Sequence, residues 1–195
     1  MSHHLYQTEC IVLGSRNIGE SNRLFFLLTK DLGLVVGSAQ GIRELKGKLR
    51  YSLQDFRYIR VELVRGKEMW RITNAAHLSD FHTLLGDKEK TALVARVSLL
   101  IQRLIHGEAR DLTLFNVLYE FLKFLEKEEL GTEELHSVEV LVNLKVLHLL
   151  GYGSEREIFR PFYLLPPSKD LLSHMAPVKK MALSEINRAL QESHL

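Results

Sequence analysis

Apolar and polar residues alternate with a period of two in the first third of the chain, which is typical of β-strands with one buried face. In the run over residues 56–64, Ile59, Val61 and Leu63 share one face, and charged residues occupy the other. Turn-forming residues separate the apolar runs, and Arg65-Gly66-Lys67 makes a short hairpin connection. The five predicted strands fall within residues 6–13, 24–28, 34–37, 56–64 and 68–73.

From residue 77 the apolar period changes to 3.6, which predicts helices. Asp87 and Asp111 are plausible N-caps for the first two helices, and Thr132 for a third that ends at Gly151. A last helix is predicted over residues 178–192. All four prolines lie in residues 152–177, so this segment is predicted to be irregular.

These elements predict an α+β fold with two domains. Five short antiparallel strands within about 70 residues favour a small barrel, and the OB-type barrel is a common form that binds nucleic acid. We therefore expect an N-terminal five-stranded OB-type β-barrel over residues 1–76. An α-helical bundle is expected over residues 77–195, with the irregular proline-containing segment inside it.

Charge is divided unevenly between these two parts. Residues 1–76 contain twelve Lys and Arg and seven Asp and Glu, a net charge of +5. Residues 77–195 contain fourteen bases and seventeen acids, a net charge of −3. A concentrated basic module is the electrostatic footprint of a nucleic-acid-binding protein, so the predicted barrel is the candidate nucleic-acid module.

The strongest candidate for phosphate binding is the basic loop between the third and fourth predicted strands. Gly41 and Gly47 make the loop flexible, so its cations can follow a phosphate backbone and release counterions. The alternative is a solvated hairpin loop. The predicted nucleic-acid-binding residues in the loop are Arg43, Lys46, Lys48 and Arg50.

Two further groups of residues extend this hypothesis. Arg16 and Arg23 flank the first turn, where they either lengthen the basic track or are ordinary surface charges. Tyr51, Phe56 and Tyr58 follow the basic loop and either stack on bases or pack in the core, and the core is favoured for Phe56.

Motifs of an enzyme or a metal centre are weak. The chain lacks the glycine-rich phosphate loops and the Gly-x-Ser-x-Gly motif of hydrolases. His77 and His82 are five residues apart, which places them on different faces of a helix. Cys10 is the only cysteine, so neither a disulfide nor a cysteine zinc site forms within one chain, and we expect a small buried residue. We therefore expect no enzyme activity, cofactor or metal, and the alternative is an unrecognised enzyme site around the two histidines.

No apolar run approaches the roughly 18 residues of a membrane span, and no signal-peptide core is present. A lone cysteine is typical of a reducing compartment. The sequence therefore predicts a cytoplasmic protein with no membrane partner. His3 and His4 are either native or the remnant of an affinity tag.

The order and spacing of several short segments resemble the RecO family of DNA repair and recombination-mediator proteins, over nearly the whole chain. Leu150-Gly151-Tyr152 continues the similarity into the helical part. The N-terminal segments that carry it are Ile11-Val12-Leu13, Gly19-Glu20-Ser21, Leu27-Leu28-Thr29, Ala39-Gln40-Gly41-Ile42-Arg43, Leu53-Gln54-Asp55-Phe56 and Val61-Glu62-Leu63.

The resemblance implies a mediator and not a catalyst. Proteins of this family bind single- and double-stranded DNA and anneal complementary strands. With a RecR partner they help the RecA recombinase displace single-stranded DNA-binding protein. In the helical part, Arg96 and Arg103 are seven residues apart and share a helix face beside Leu99 and Leu100. This face is predicted to receive the acidic tail of single-stranded DNA-binding protein, and the alternative is two arginines paired with neighbouring acids.

The chain departs from the family pattern at three places. Many members have a four-cysteine zinc module after the Leu-Gly-Tyr segment, whereas residues 153–177 contain no cysteine, so zinc is not implied. Gln40 stands where the family often has Lys, which removes a phosphate contact and makes Arg43 more important. Asp55 stands where Pro is usual. An RNA-binding OB module of translation or RNA processing remains the alternative function.

Overall fold

The computed structural model describes residues 4–42, 48–67, 69–79, 81–105 and 107–193. The chain forms two compact units. The first unit combines residues 1–80 with residues 105–115, and the second combines residues 81–104 with residues 116–195. The predicted domains, 1–76 and 77–195, remain a prediction about which fragments fold separately.

Five strands form a closed barrel in the order β1-β2-β3-β5-β4, in which only β3 and β5 are parallel neighbours. This arrangement confirms the predicted OB-type barrel. A bulge between Val12 and Gly14 shifts the pairing of β1 with β2. The strand bounds are β1 (Leu5–Ile18), β2 (Asn22–Thr29), β3 (Gly33–Ala39), β4 (Tyr58–Arg65) and β5 (Trp70–Ser79).

The barrel interior is filled by alternate residues of each strand, as the period of two predicts. Ile59, Val61 and Leu63 point inward, as do Trp70 and Ile72. β5 continues to Ser79, so the strand pattern extends beyond residue 77, where the helical period was predicted to begin. The other buried members of the interior cluster are Cys10, Val12, Phe25, Leu27, Val35, Ala39, Ile42 and Leu53.

The non-helical segment over residues 107–111 packs against the barrel within the first unit. A Cβ added at Gly33 would lie 2.2 Å from the carbonyl oxygen of Ala109, so the two backbones touch. Arg110 lies 3.7 Å from Asp31, and the Asp31 carboxylate also accepts a hydrogen bond from Thr8. Nothing in the local sequence pattern predicted that this connection belongs to the barrel unit.

Seven helices follow the barrel in the part of the chain that the structure describes. Asp87 and Asp111 accept backbone hydrogen bonds at the starts of α2 and α3. Both residues are therefore N-caps, as the sequence predicts. Gly131 is the N-cap of α4, and Thr132, predicted as the cap, is its first helical residue. Their bounds are α1 (His82–Gly86), α2 (Lys88–Leu104), α3 (Leu112–Lys127), α4 (Thr132–Leu149), α5 (Arg160–Leu164), α6 (Lys169–Met175) and α7 (Lys179–Glu192).

Within the second unit, α4 contacts α2, α5, α6 and α7 and is the central helix of the bundle. The proline-containing segment is a series of short helices, α5 and α6 with single 3₁₀ turns before and after them. Phe159 and Phe162 are buried, and the Tyr163 ring stacks on His148 with centroids 3.7 Å apart. Ile158 and Leu164 of the same segment are exposed.

No helix in the described part of the chain combines the length and the apolar character needed to cross a bilayer.

Candidate nucleic-acid interface

Two exposed arginines lie on the outer face of the barrel, in one continuous row across four strands. The row joins Arg16 of β1 to Leu24 of β2, Ser38 of β3 and Arg71 of β5. Residues directly opposite each other in a sheet share a face. Because Phe25 and Trp70 point into the barrel, their neighbours Leu24 and Arg71 point outward.

The next row on the same face is apolar. Phe26 pairs with Val36, and both side chains are half-buried. The Arg16 guanidinium lies 5.8 Å from the centroid of the Phe26 ring, which is within the range of a cation–π contact. An accessible aromatic ring beside a cation is the arrangement that stacks a base next to its phosphate. We call these outward residues the basic face, and its members are Arg16, Phe26, Val36, Ser38 and Arg71.

Arg71 also lies beside Gln40, with 3.5 Å between its Nη2 atom and the Gln40 Oε1 atom. Sequence reasoning treated Gln40 as the loss of a phosphate contact. The structure places the guanidinium of Arg71 at this position from a neighbouring strand. Neither Arg71 nor Phe26 was predicted as a site residue. Arg71 joins this face only through the pairing of β3 with β5, which brings together residues more than 30 positions apart in sequence.

Arg23 lies on the neighbouring row, opposite Asn17 and Ala39. Since Ala39 points into the barrel, the side chain of Arg23 leaves the sheet on the other face from Arg16. Its Nε atom donates to Asn17 Oδ1 at 3.1 Å. The two arginines that flank the first turn are therefore close in sequence but do not share a face.

The predicted basic loop is described only in part. Arg43 and Lys46 lie outside the described residues, as does the side chain of Lys48, whose backbone begins a 3₁₀ turn over Lys48–Arg50. Arg50 is exposed, and the adjacent Tyr51 is 76 % exposed, so both are accessible to a ligand. Phe56 is half-buried with a φ of 67°, which fixes an uncommon backbone turn before β4.

Other cations of the barrel are neutralised by acids. Glu9 accepts hydrogen bonds from Tyr58 Oη at 2.6 Å and from Lys30 Nζ at 3.1 Å, and Arg60 lies 3.6 Å away. The hydrogen bond from Tyr58, followed by that from Lys30, lowers the pKa of the Glu9 carboxyl. The hydroxyl of Tyr58 is thereby held by a carboxylate of the barrel, and its ring is half-buried. The exposed or half-buried bases without an ion pair in the described part of the barrel unit are Arg16, Arg23, Arg50, Lys67 and Arg71.

In the helical unit, the two predicted partner-binding arginines differ in their surroundings. Arg96 of α2 donates two hydrogen bonds to Glu139 of α4, at 2.6 and 2.7 Å, and these bonds raise the pKa of the guanidinium. Arg103 is exposed and makes no ion pair with any residue that the structure describes. Leu99, between them in sequence, is 56 % exposed. Arg103 is thus the more available cation of the two.

Comparison with known proteins identifies the family. Residues 1–81 match the family model described as "Recombination protein O N terminal". The DNA repair protein RecO of Dehalococcoides mccartyi is 30% identical over 152 residues, which cover 78% of this chain and 58% of that protein. The chain belongs to the RecO family.

Other RecO relatives give the same coverage. The DNA repair protein RecO of Rubrobacter xylanophilus is 32% identical over 149 residues, covering 76% of this chain and 58% of that protein. The protein of Clostridium novyi is 27% identical over 153 residues, covering 78% and 59%. This RecO-family chain therefore matches somewhat more than half the length of these relatives.

Proposed function

We propose that this chain is a DNA-binding recombination mediator, and not an enzyme, whose barrel captures the phosphate backbone of DNA. The observation that carries the proposal is the basic face, where Phe26 lies beside Arg16 and where Arg16 and Arg71 are exposed and form no ion pair with the residues that the structure describes. OB-type barrels bind oligonucleotides on the face of their second and third strands, which is where this face lies. The relatives of the chain are named for DNA repair.

The proposed mechanism is electrostatic and independent of base sequence. Each phosphate that Arg16 or Arg71 neutralises releases condensed counterions, which favours binding at low salt. Stacking on Phe26, and on the exposed Tyr51, adds about 1 to 3 kcal/mol for each base and tolerates any base. Arg50 and the other bases of the loop, including Arg43, Lys46 and Lys48, are proposed to continue the same track.

Arg71→Ala tests this assignment, with Arg60→Ala as the matched control on the same barrel. Within the described part of the chain Arg71 forms no ion pair, whereas Arg60 lies 3.6 Å from Glu9. We expect Arg71→Ala to lower the slope of log affinity against log salt by about 0.7 for single-stranded DNA. Arg60→Ala should change the slope less. Equal changes in both variants would reject the basic face as the DNA site.

By its resemblance to the family, the chain is proposed to anneal complementary strands and, with a RecR partner, to help RecA replace single-stranded DNA-binding protein. The decisive assay mixes complementary oligonucleotides coated with that protein and follows duplex formation by fluorescence. Acceleration by the wild type that is lost in Arg16→Ala with Arg71→Ala would support annealing through the basic face. No acceleration by the wild type would reject the annealing activity.

The acidic tail of single-stranded DNA-binding protein is proposed to dock beside Arg103 and Leu99 on α2. Because Glu139 already holds Arg96, we expect Arg103→Glu to weaken binding of a tail peptide more than Arg96→Glu does. A peptide that binds both variants as well as the wild type would reject this surface.

The alternative function, an RNA-binding OB module, shares the barrel and the charge. Affinities for DNA and RNA oligonucleotides of equal length, at one salt concentration, separate the two functions. A clear preference for RNA would favour the alternative.

A further inference from the structure

Trp70 occupies an unusual position at the β4–β5 hairpin. Its ring belongs to the buried interior cluster and is 3 % exposed, but the indole Nε1 atom donates a hydrogen bond of 2.7 Å to Glu108 Oε1. Arg65, the cross-strand partner of Trp70, lies with its guanidinium carbon 5.3 Å from the indole centroid. The Nη1 atom of Arg65 is 3.6 Å from the second oxygen of Glu108.

The carboxylate of Glu108 therefore lies between an indole N–H and a guanidinium. The two non-bridging oxygens of a phosphodiester share one negative charge, as the two oxygens of a carboxylate do. They also accept hydrogen bonds from an N–H group and from a guanidinium. A carboxylate and a backbone phosphate are thus chemically interchangeable at this position.

Exposure indicates that the Glu108 carboxylate can be displaced. The side chains of Arg65 and Glu108 are 67% and 38% exposed, so both ends of the ion pair are in contact with water. Ion pairs of this kind are weak because solvent screens them. Glu108 itself lies in the non-helical segment 107–111, and no helix has to unwind for its side chain to swing away.

The surroundings favour a nucleic-acid phosphate over other anions. Lys67, in the same hairpin, is exposed and has no ion pair among the described residues, so a second phosphate would meet a free cation there. Tyr6 makes an edge contact with the buried Trp70 ring at 5.1 Å between ring centroids. Two cations in one hairpin match the repeated phosphates of a single strand, whereas a small anion occupies only one such position.

We propose that the Arg65–Trp70 pair is a phosphate subsite for single-stranded DNA, and that Glu108 occupies it until a backbone phosphate displaces the carboxylate. This subsite adds a second contact region to the basic face and rests on the proposed DNA-binding function. It also makes the segment over residues 107–111 an internal competitor of DNA.

Glu108→Gln tests the proposal, with Glu62→Gln as the matched control. Each substitution removes one negative charge from the barrel unit, and the side chain of Glu62 makes no hydrogen bond or ion pair with the residues described. Glu108→Gln should steepen the salt slope for single-stranded DNA by about 0.7, which corresponds to roughly fivefold tighter binding at 0.1 M salt. This gain in DNA affinity should vanish in the double variant that combines Glu108→Gln with Arg65→Gln. A gain no larger than that of Glu62→Gln would overturn the proposal.

A second measurement uses Trp70 directly, because it is the only tryptophan of the chain. A single-stranded oligonucleotide should change the emission of Trp70, and the change should saturate at a lower DNA concentration in Glu108→Gln. Inorganic phosphate at the same phosphate concentration should produce little change, since a free ion lacks the neighbouring contacts. Emission that stays constant while DNA binds would overturn the subsite.

Two outcomes separate this inference from the proposed function. If the wild type and all variants fail to bind DNA, the proposed function itself is rejected. If the wild type binds DNA but Glu108→Gln neither steepens the slope nor affects Trp70, only the subsite is rejected. Should Glu108→Gln not fold, Glu108→Asp keeps the charge and shortens the side chain, and it should give a smaller gain in affinity of the same sign.

Discussion

The single thiol of the chain lies inside the barrel. Cys10 is fully buried between β2 and β4 in the sheet, and burial raises the pKa of its thiol well above the ordinary value. Only the thiolate reacts readily. Cys10 is therefore protected both by its burial, which excludes reagents, and by its raised pKa, which keeps it protonated. The residue was predicted to be a small buried apolar side chain, and its position inside the barrel confirms this.

Cys10 therefore serves as a reporter of barrel opening. We expect an aromatic disulfide reagent to modify Cys10 at least about a thousandfold more slowly in the native protein than in concentrated guanidinium chloride, since only opened molecules react. The absorbance of the released aromatic thiolate measures the rate of modification, with Cys10→Ser as the blank. Rapid modification under native conditions would contradict a closed barrel.

Single residues also show where sequence reasoning stops. The inward faces of β4 and β5 were predictable, because alternation needs only neighbouring positions. The face of Arg16 was not, because the bulge between Val12 and Gly14 shifts the alternation of β1. Arg71 meets Gln40 only through the barrel closure, which no local pattern encodes.

At the scale of elements, α2 was predicted from its apolar stripe, but the stripe left out a buried lysine. Lys90 is 3 % exposed, and its Nζ atom donates to the carbonyl oxygens of Leu125 and Glu128, at 2.7 and 2.8 Å. These carbonyls belong to the end of α3 and the residue after it, where helical partners are missing. Lys90 of α2 thus caps the end of α3. The sequence pattern marks position 90 only as polar and does not reveal this role.

Removing this cap should destabilise the bundle. We expect Lys90→Met to lower the free energy of unfolding by about 1.5 to 3 kcal/mol, because hydrogen bonds from a charged donor to buried carbonyls are lost. Lys88→Met is the control, because Lys88 is exposed on the same helix. This substitution should lower the free energy of unfolding by less than about 0.5 kcal/mol. Denaturant unfolding followed by circular dichroism measures both, and equal stabilities would exclude the capping role.

The proline-containing segment offers a second test at this scale. Phe162 is 2 % exposed on α5, whereas Leu164 of the same short helix is 68 % exposed. Phe162→Ala should cost roughly 3 to 5 kcal/mol through lost packing and the cavity left behind. Leu164→Ala should change stability by less than about 0.5 kcal/mol. If both variants unfold at the wild-type denaturant concentration, the segment does not pack against the bundle in solution.

At the scale of the whole molecule, the change of period at residue 77 and the charge division predicted a basic barrel before helices. The assignment of residues 105–115 to the barrel unit was not predictable, because this stretch has neither strand nor helix periodicity over most of its length. Its contacts depend on which residues the barrel brings together, namely Gly33, Asp31 and Trp70. Glu108 was therefore invisible as a functional candidate.

The charge division leads to a prediction about where DNA binds in the whole chain. Arg16→Ala with Arg71→Ala removes two cations of the basic face, and Arg96→Ala with Arg103→Ala removes the same charge from the helical unit. If long-range attraction by net charge governed DNA binding, the loss of two positive charges would weaken binding equally in both double variants. Direct phosphate contacts on the basic face would instead lower the salt slope for single-stranded DNA by about 1.4 in the first variant only.

We expect the second result, measured by fluorescence anisotropy of a labelled oligonucleotide over a series of salt concentrations. The first variant should also lose affinity equally for oligonucleotides of different sequence, because phosphates carry no sequence information. A salt slope that falls by about 1.4 in both double variants would mean that the helices carry phosphate contacts of their own. The DNA site would then extend beyond the barrel, and the basic face would be only one part of it.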